Sequence, residues 1–142
     1  MISSLPATSC RIEEAKNKLS HYEWLTEDYP PYNYINADGK LKGIFTDIVL
    51  AVFDKLELKL SADDIELMPW VRLYKNMQTT DRYAAFSMTY TDERAKAFRI
   101  VTTPLSTKIS IMVLAENHQQ LIKTPMENIV LGVVREDIGH HL

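Results

Sequence analysis

The chain has a single cysteine, Cys10, so no intrachain disulfide can form. Its four glycines, Gly39, Gly43, Gly132 and Gly139, do not stand at the spacing of a phosphate-cradling loop. No apolar run is long enough to span a bilayer, and residues 1–20 contain no apolar segment of the length a signal peptide needs. Positive charge is not in excess. The formal net charge is −3, the pI is near 5.8 and no basic stripe appears, which argues against nucleic acid as a partner.

The usual marks of catalysis are also missing. There is no Ser–His–Asp arrangement and no nucleophile elbow. His21 and His118 stand alone, and His140-His141 has no second ligand pair at metal spacing. Asp63-Asp64 and Glu13-Glu14 read as exposed charge. We therefore expect no catalytic residue, no metal site and no cofactor. What remains is ordinary for a globular protein: 142 residues, 46% hydrophobic and 25% charged, enough to bury a core without staples.

Hydrophobic period gives the elements. Residues 11–20 are polar, helix-prone and peripheral. His21–Thr26 alternates as a strand. Glu27 to Tyr34 is broken by Pro30-Pro31, which forces an extended segment and keeps its tyrosines off any helix face. Asn36-Ala-Asp-Gly39 signals a turn. Phe45 to Leu58 reads as a helix capped by Thr46, with Phe45, Ile48, Val49, Val52, Phe53 and Leu56 as its apolar stripe. Asp64–Met68 alternates as a strand, and a short helix starts at Pro69. Asp81–Thr89 reads as a strand and Thr91–Phe98 as a helix. Further strands are expected at Arg99–Pro104, Lys108–Ala115 and Asn128–Arg135, with a polar connector from Glu116 to Glu127. Strand and helix alternate, which predicts an α/β fold with a mainly parallel sheet and helices on both faces.

In such sheets, ligands sit beyond the carboxyl ends of the strands. Three segments belong there: Thr26–Tyr34, Pro69–Arg72 and Ser87–Arg94. The last is the most telling. Thr91 is a good N-cap and Asp92 suits a first turn, but Arg94 puts a cation at the positive end of a helix dipole, at a cost of a few tenths to about 1 kcal/mol. A broken local rule of this kind often marks a functional site. Ser87, Thr89 and Thr91 alternate with Phe86, Met88 and Tyr90, so the three hydroxyls are expected on one strand face. With the helix N-terminus and Arg94 they would make an anion site suited to a carboxylate. Arg72 is the second choice for that contact. Tyr29, Tyr32 and Trp70 would wall a ligand with aromatic surface, and Glu27 would complement a ligand ammonium. Against this, a surface arginine pairing with Asp92 or Glu93, and aromatics that simply pack, would explain the same residues.

The ordered set Thr26-Glu-Asp-Tyr-Pro-Pro-Tyr-Asn-Tyr34, Asp38-Gly-Lys-Leu-Lys-Gly-Ile44, Pro69-Trp-Val-Arg72, Phe86-Ser-Met-Thr89, Thr91-Asp-Glu-Arg94 and Gly132-Val-Val-Arg-Glu-Asp137 resembles the bacterial extracellular solute-binding proteins of family 3. These are periplasmic amino-acid receptors of ABC importers with the type 2 periplasmic-binding fold. The resemblance implies two lobes closing on a ligand, with Arg94 on its α-carboxylate, helped by Ser87 and Thr89, and Glu27, Tyr29, Tyr32 and Trp70 lining the pocket. Phe86 stands where other members often have a small residue, which would reshape the pocket.

The same resemblance implies residues 1–20 as an extension, 21–106 as lobe one without its return strand, and 107–142 as the start of lobe two. It also implies ABC-transporter membrane subunits as partners and a periplasmic location. Family members are typically much longer, so a truncated second lobe is expected, and with it an open sheet edge and a possible domain-swapped dimer. The alternatives are a partial fragment with little affinity and, less favoured, a dehydratase-like enzyme on the same scaffold.

Overall fold

The computed structural model describes residues 7–101, 110–137 and 139. The expected strand Arg99–Pro104 falls outside them beyond Val101, as do the first two residues of Lys108–Ala115. The chain divides into two compact units, one running to Thr89 and the other from Tyr90.

The first unit is built on a three-stranded parallel sheet. The central strand β1 (Glu23–Thr26) is flanked by β4 (Ile65–Leu67) on one side and β5 (Tyr83–Ala85) on the other. Along the chain from β1 to β4 comes a separate antiparallel pair, β2 (Tyr34–Ile35) and β3 (Leu41–Lys42), closed by the expected Asn36–Gly39 turn. Asn36 holds that turn by accepting from the backbone N–H groups of Asp38 and Lys40 at 3.1 and 2.9 Å.

Strand alternation sorts the core into two clusters. Leu25 packs with Met68, Trp70 and Leu73, and its neighbour Trp24 packs against Leu41, Phe53 and Ile65. The first cluster takes Trp70 and Leu73 from helix α3 (Trp70–Thr79), and the second takes Phe53 from helix α2 (Ile44–Lys55). The two helices therefore cover opposite faces of the sheet, as the alternating pattern predicts. Trp24 and Phe53 meet edge to face with ring centroids 4.8 Å apart.

The start of α2 corrects one expectation. Thr46 does not cap it. Gly43 stands at the N-cap with φ 132°, and Thr46 is buried one turn on, its hydroxyl donating to the Lys42 carbonyl at 3.3 Å. The backbone conformation favours glycine there, and a Cβ at this position would run into the Tyr32 carbonyl. That close approach is what seats the Pro-Pro loop on α2: Phe45 N–H donates to the Tyr32 carbonyl at 2.9 Å and Ile44 N–H to that of Pro31 at 3.2 Å. Helix α1 (Ala7–Ser20) is tied to this unit by the Trp24 indole, which donates to the Leu19 carbonyl, and by a Lys16–Glu57 pair, both at 3.3 Å.

Among the described residues of the second unit are helix α4 (Asp92–Ala97), short helix α5 (His118–Leu121) and 3₁₀ turns at 115–117 and 126–128. Thr91 caps α4 as expected, its hydroxyl accepting from Arg94 N–H at 3.1 Å. The expected strands Lys108–Ala115 and Asn128–Arg135 are not strands over their described residues. The apolar side chains at 111–114 and 130–134 are exposed, Met112 at 92% and Val130 at 97%. A strand exists only where a neighbour takes up its N–H and C=O groups, and no described segment pairs with either one.

Candidate functional site

At the carboxyl end of β1 the chain turns through Glu27–Asn33, and the Pro30–Pro31 peptide within it is cis. The loop folds onto itself. Tyr29 and Asn33 exchange backbone hydrogen bonds of 2.6 and 3.1 Å, and Tyr32 N–H donates to the Tyr29 carbonyl at 2.8 Å. This brings the Tyr29 and Tyr32 rings to a centroid distance of 5.3 Å and sets Tyr32 against Phe45 at 5.4 Å. Tyr29 is exposed, while Glu27 and Tyr32 are half-buried.

Asn33, which the sequence reading passed over, organises this end of the sheet. Its side chain is 0% exposed. The amide nitrogen donates to the Glu27 carbonyl, and the amide oxygen accepts from the Ser87 hydroxyl. Two carboxyl-terminal ends, those of β1 and β5, are thus latched through one side chain. An asparagine between two tyrosines just after a Pro-Pro step was the available signal, but its burial was not readable from the local sequence.

Ser87 corrects the expected row of hydroxyls. β5 ends at Ala85, and Ser87 takes φ 69°, the left-handed region, so it breaks the strand instead of extending it. A non-glycine residue there costs on the order of 1 kcal/mol, and such positions cluster at sites with a job to do. Thr91, the third expected member of the row, spends its oxygen on the α4 cap.

Trp70 lies in the core, 6% exposed, with its ring 5.4 Å from that of Tyr74. Arg72 is exposed in the first turn of α3, its N–H donating to the Pro69 carbonyl at 3.0 Å. Buried at the carboxyl end of β1, Thr26 Oγ1 has no hydrogen-bond partner among the described residues.

In the second unit Arg94 is 4% exposed. Its Nη2 donates to the Glu136 carbonyl at 2.9 Å and stands 3.9 Å from the Asp137 carboxylate, whose side chain is 40% exposed. Glu136 itself takes a positive φ of 61° at this contact. The carbonyl contact is well formed. The carboxylate contact is about an ångström longer than a charge-assisted hydrogen bond and opens to solvent, so it is a weak ion pair. No group of three or more metal-ligating side chains occurs among the described residues.

No curated protein and no solved structure was found to match the chain. The family model of the bacterial extracellular solute-binding proteins, family 3, matches residues 24–137. That span takes in both strand-end loops, Arg94 and the Glu136–Asp137 contact. With a parallel sheet covered by helices on both faces, the chain belongs to the bacterial extracellular solute-binding proteins of family 3.

Proposed function

We propose that the chain binds a small polar solute bearing a carboxylate, an amino acid or a close relative, as the receptor of an ABC import system in the periplasm. Membership of a solute-binding family supports binding in general. The observation that carries the carboxylate is the place of Arg94, a guanidinium in the first turn of α4 behind the Thr91 cap and inside the matched span. Its planar fork suits a two-pronged solute carboxylate. Glu27, Tyr29, Tyr32, Ser87 and Thr89, all in the first unit, are our further candidates for solute contact. We assign no reaction. Trp70 is assigned a supporting place beneath the ligand surface, since its ring packs in the core. Residues 21–106 and 107–142 are assigned to the two lobes, with 1–20 as an extension.

Calorimetric titration with the twenty L-amino acids tests this reading. At least one is expected to give saturable heat. Arg94→Lys, which keeps the charge but not the fork, is expected to weaken that binding about 10- to 100-fold.

A second reading concerns partners. The exposed apolar segments at 111–114 and 130–134 favour a form in which a second copy of the chain covers them, as a swapped dimer. Light scattering across a concentration series checks this, and a constant monomer mass contradicts it.

A further inference from the structure

We propose that Asn33 is a positioning residue that fixes the hydroxyl proton of Ser87, so that Ser87 meets the solute only as a hydrogen-bond acceptor and selects solutes presenting an N–H donor there. This rests on the binding reading above and says which part of the solute Ser87 reads. It departs from the expectation that Ser87 helps to hold the carboxylate.

Hydrogen-bond valence alone orders the chain of contacts. The Glu27 carbonyl can only accept, so the Asn33 atom facing it must be the amide nitrogen. That leaves the Asn33 carbonyl oxygen facing Ser87, and this oxygen also can only accept. The Ser87 hydroxyl must therefore donate, and it has one proton. Its lone pairs are all that it can offer elsewhere. The direction of every bond follows from a backbone carbonyl that cannot rotate its role.

Two further observations keep the proton where it is. Asn33 is fully buried, so water does not compete for its oxygen. Ser87 is held at φ 69°, a conformation the backbone would not choose unaided, so its side-chain direction is set by the fold. Because Ser87 is half-buried, it stays within reach of a solute. A lone pair facing a carboxylate is repulsive, whereas one facing an amide N–H makes a favourable hydrogen bond and one facing an ammonium a charge-assisted one.

The test measures a ratio. Calorimetry gives the affinity of the tightest-binding L-amino acid from the panel and of the same acid lacking its α-amino group, for the parent chain and four variants. The parent is expected to prefer the amino acid by about tenfold or more. Ser87→Ala removes the acceptor and is expected to lower that preference severalfold, the remainder belonging to Glu27. Asn33→Ala frees the hydroxyl to turn and donate, and the preference is expected to fall to a similar level. In the double variant Asn33→Ala/Ser87→Ala it should fall no further. Asn33→Asp, whose protonated carboxyl can donate to Glu27 while accepting from Ser87, is expected to retain most of it.

A merely structural Asn33 would weaken both solutes equally and leave the ratio unchanged, which overturns the proposal. Should Asn33→Ala fail to fold, Ser87→Ala decides alone, since it leaves the buried Asn33–Glu27 bond in place. An unchanged ratio in that variant also overturns it. If the parent binds no member of the panel, the binding reading itself fails, and the ligand half of this proposal fails with it. The relay is then judged separately by the Asn33 side-chain amide in the parent. Two resolved protons protected from exchange support the hydrogen-bond order, and rapid exchange refutes it.

Discussion

The two units spend similar sequence very differently. In the first, short stretches such as Trp24–Thr26 and Ile65–Leu67 become strands that bury Leu25, Thr26 and Ile65. In the second, Val130–Val134 has the same β-branched character and is left exposed and unpaired among the described residues. Composition does not separate them. Partners do: β1 has a strand on each side and helices over both faces, whereas no described strand pairs with 130–134. A strand belongs to the pairing as much as to the residues, because only a neighbour satisfies its backbone groups.

That contrast can be broken most forcefully in the first unit. Phe53→Ala empties a site that is 1% exposed under Trp24, and we expect a loss of about 3–5 kcal/mol in denaturant melts. Gly43→Ala should follow at about 1–3 kcal/mol. It forces a side chain into a φ of 132° and against the Tyr32 carbonyl, and the strain should show as a lower midpoint with the slope unchanged. In the second unit, Thr91→Ala removes the cap of α4 at a cost of about 1 kcal/mol. Val130→Thr should change stability by less than about 0.5 kcal/mol while reducing concentration-dependent association, because that side chain is 97% exposed. A large loss there would show that Val130 is packed and would erase the distinction between the units.

The smallest effect concerns α1. Lys18, hydrogen-bonded at 2.7 Å, holds the Glu14 carboxyl below its ordinary pKa. A depressed carboxyl stabilises the fold above its unfolded-state value, and that contribution disappears as pH falls through the folded one. Glu14→Gln should therefore flatten only the acid edge of the stability profile, and only slightly, since the pair lies in solvent.

What could be read from the sequence was local. The Thr91 cap, the first-turn place of Arg94 and the Asn36–Gly39 turn depend on neighbours a few residues away, and all three are found. The α/β alternation and its two covered faces follow from periodicity, which is also a local property. The misses are contacts between distant residues. Thr46 looked like a cap because its type suits one, but the clash that fixes Gly43 comes from Tyr32. Ser87 looked like one of a row because serine, threonine and threonine alternate, yet its direction is set by Asn33, 54 residues earlier. Glu136 and Asp137 meet Arg94 from 42 and 43 residues on, contacts that no neighbour of Arg94 in sequence announces. Chain-local rules place a charge on a helix without saying what will come to meet it.

Titrating the parent chain and Arg94→Lys side by side with amino acids measures the central claim directly. A saturable heat for the parent that weakens about 10- to 100-fold in the variant is the predicted result. Equal binding by both chains, or no heat from the parent with any amino acid, contradicts it.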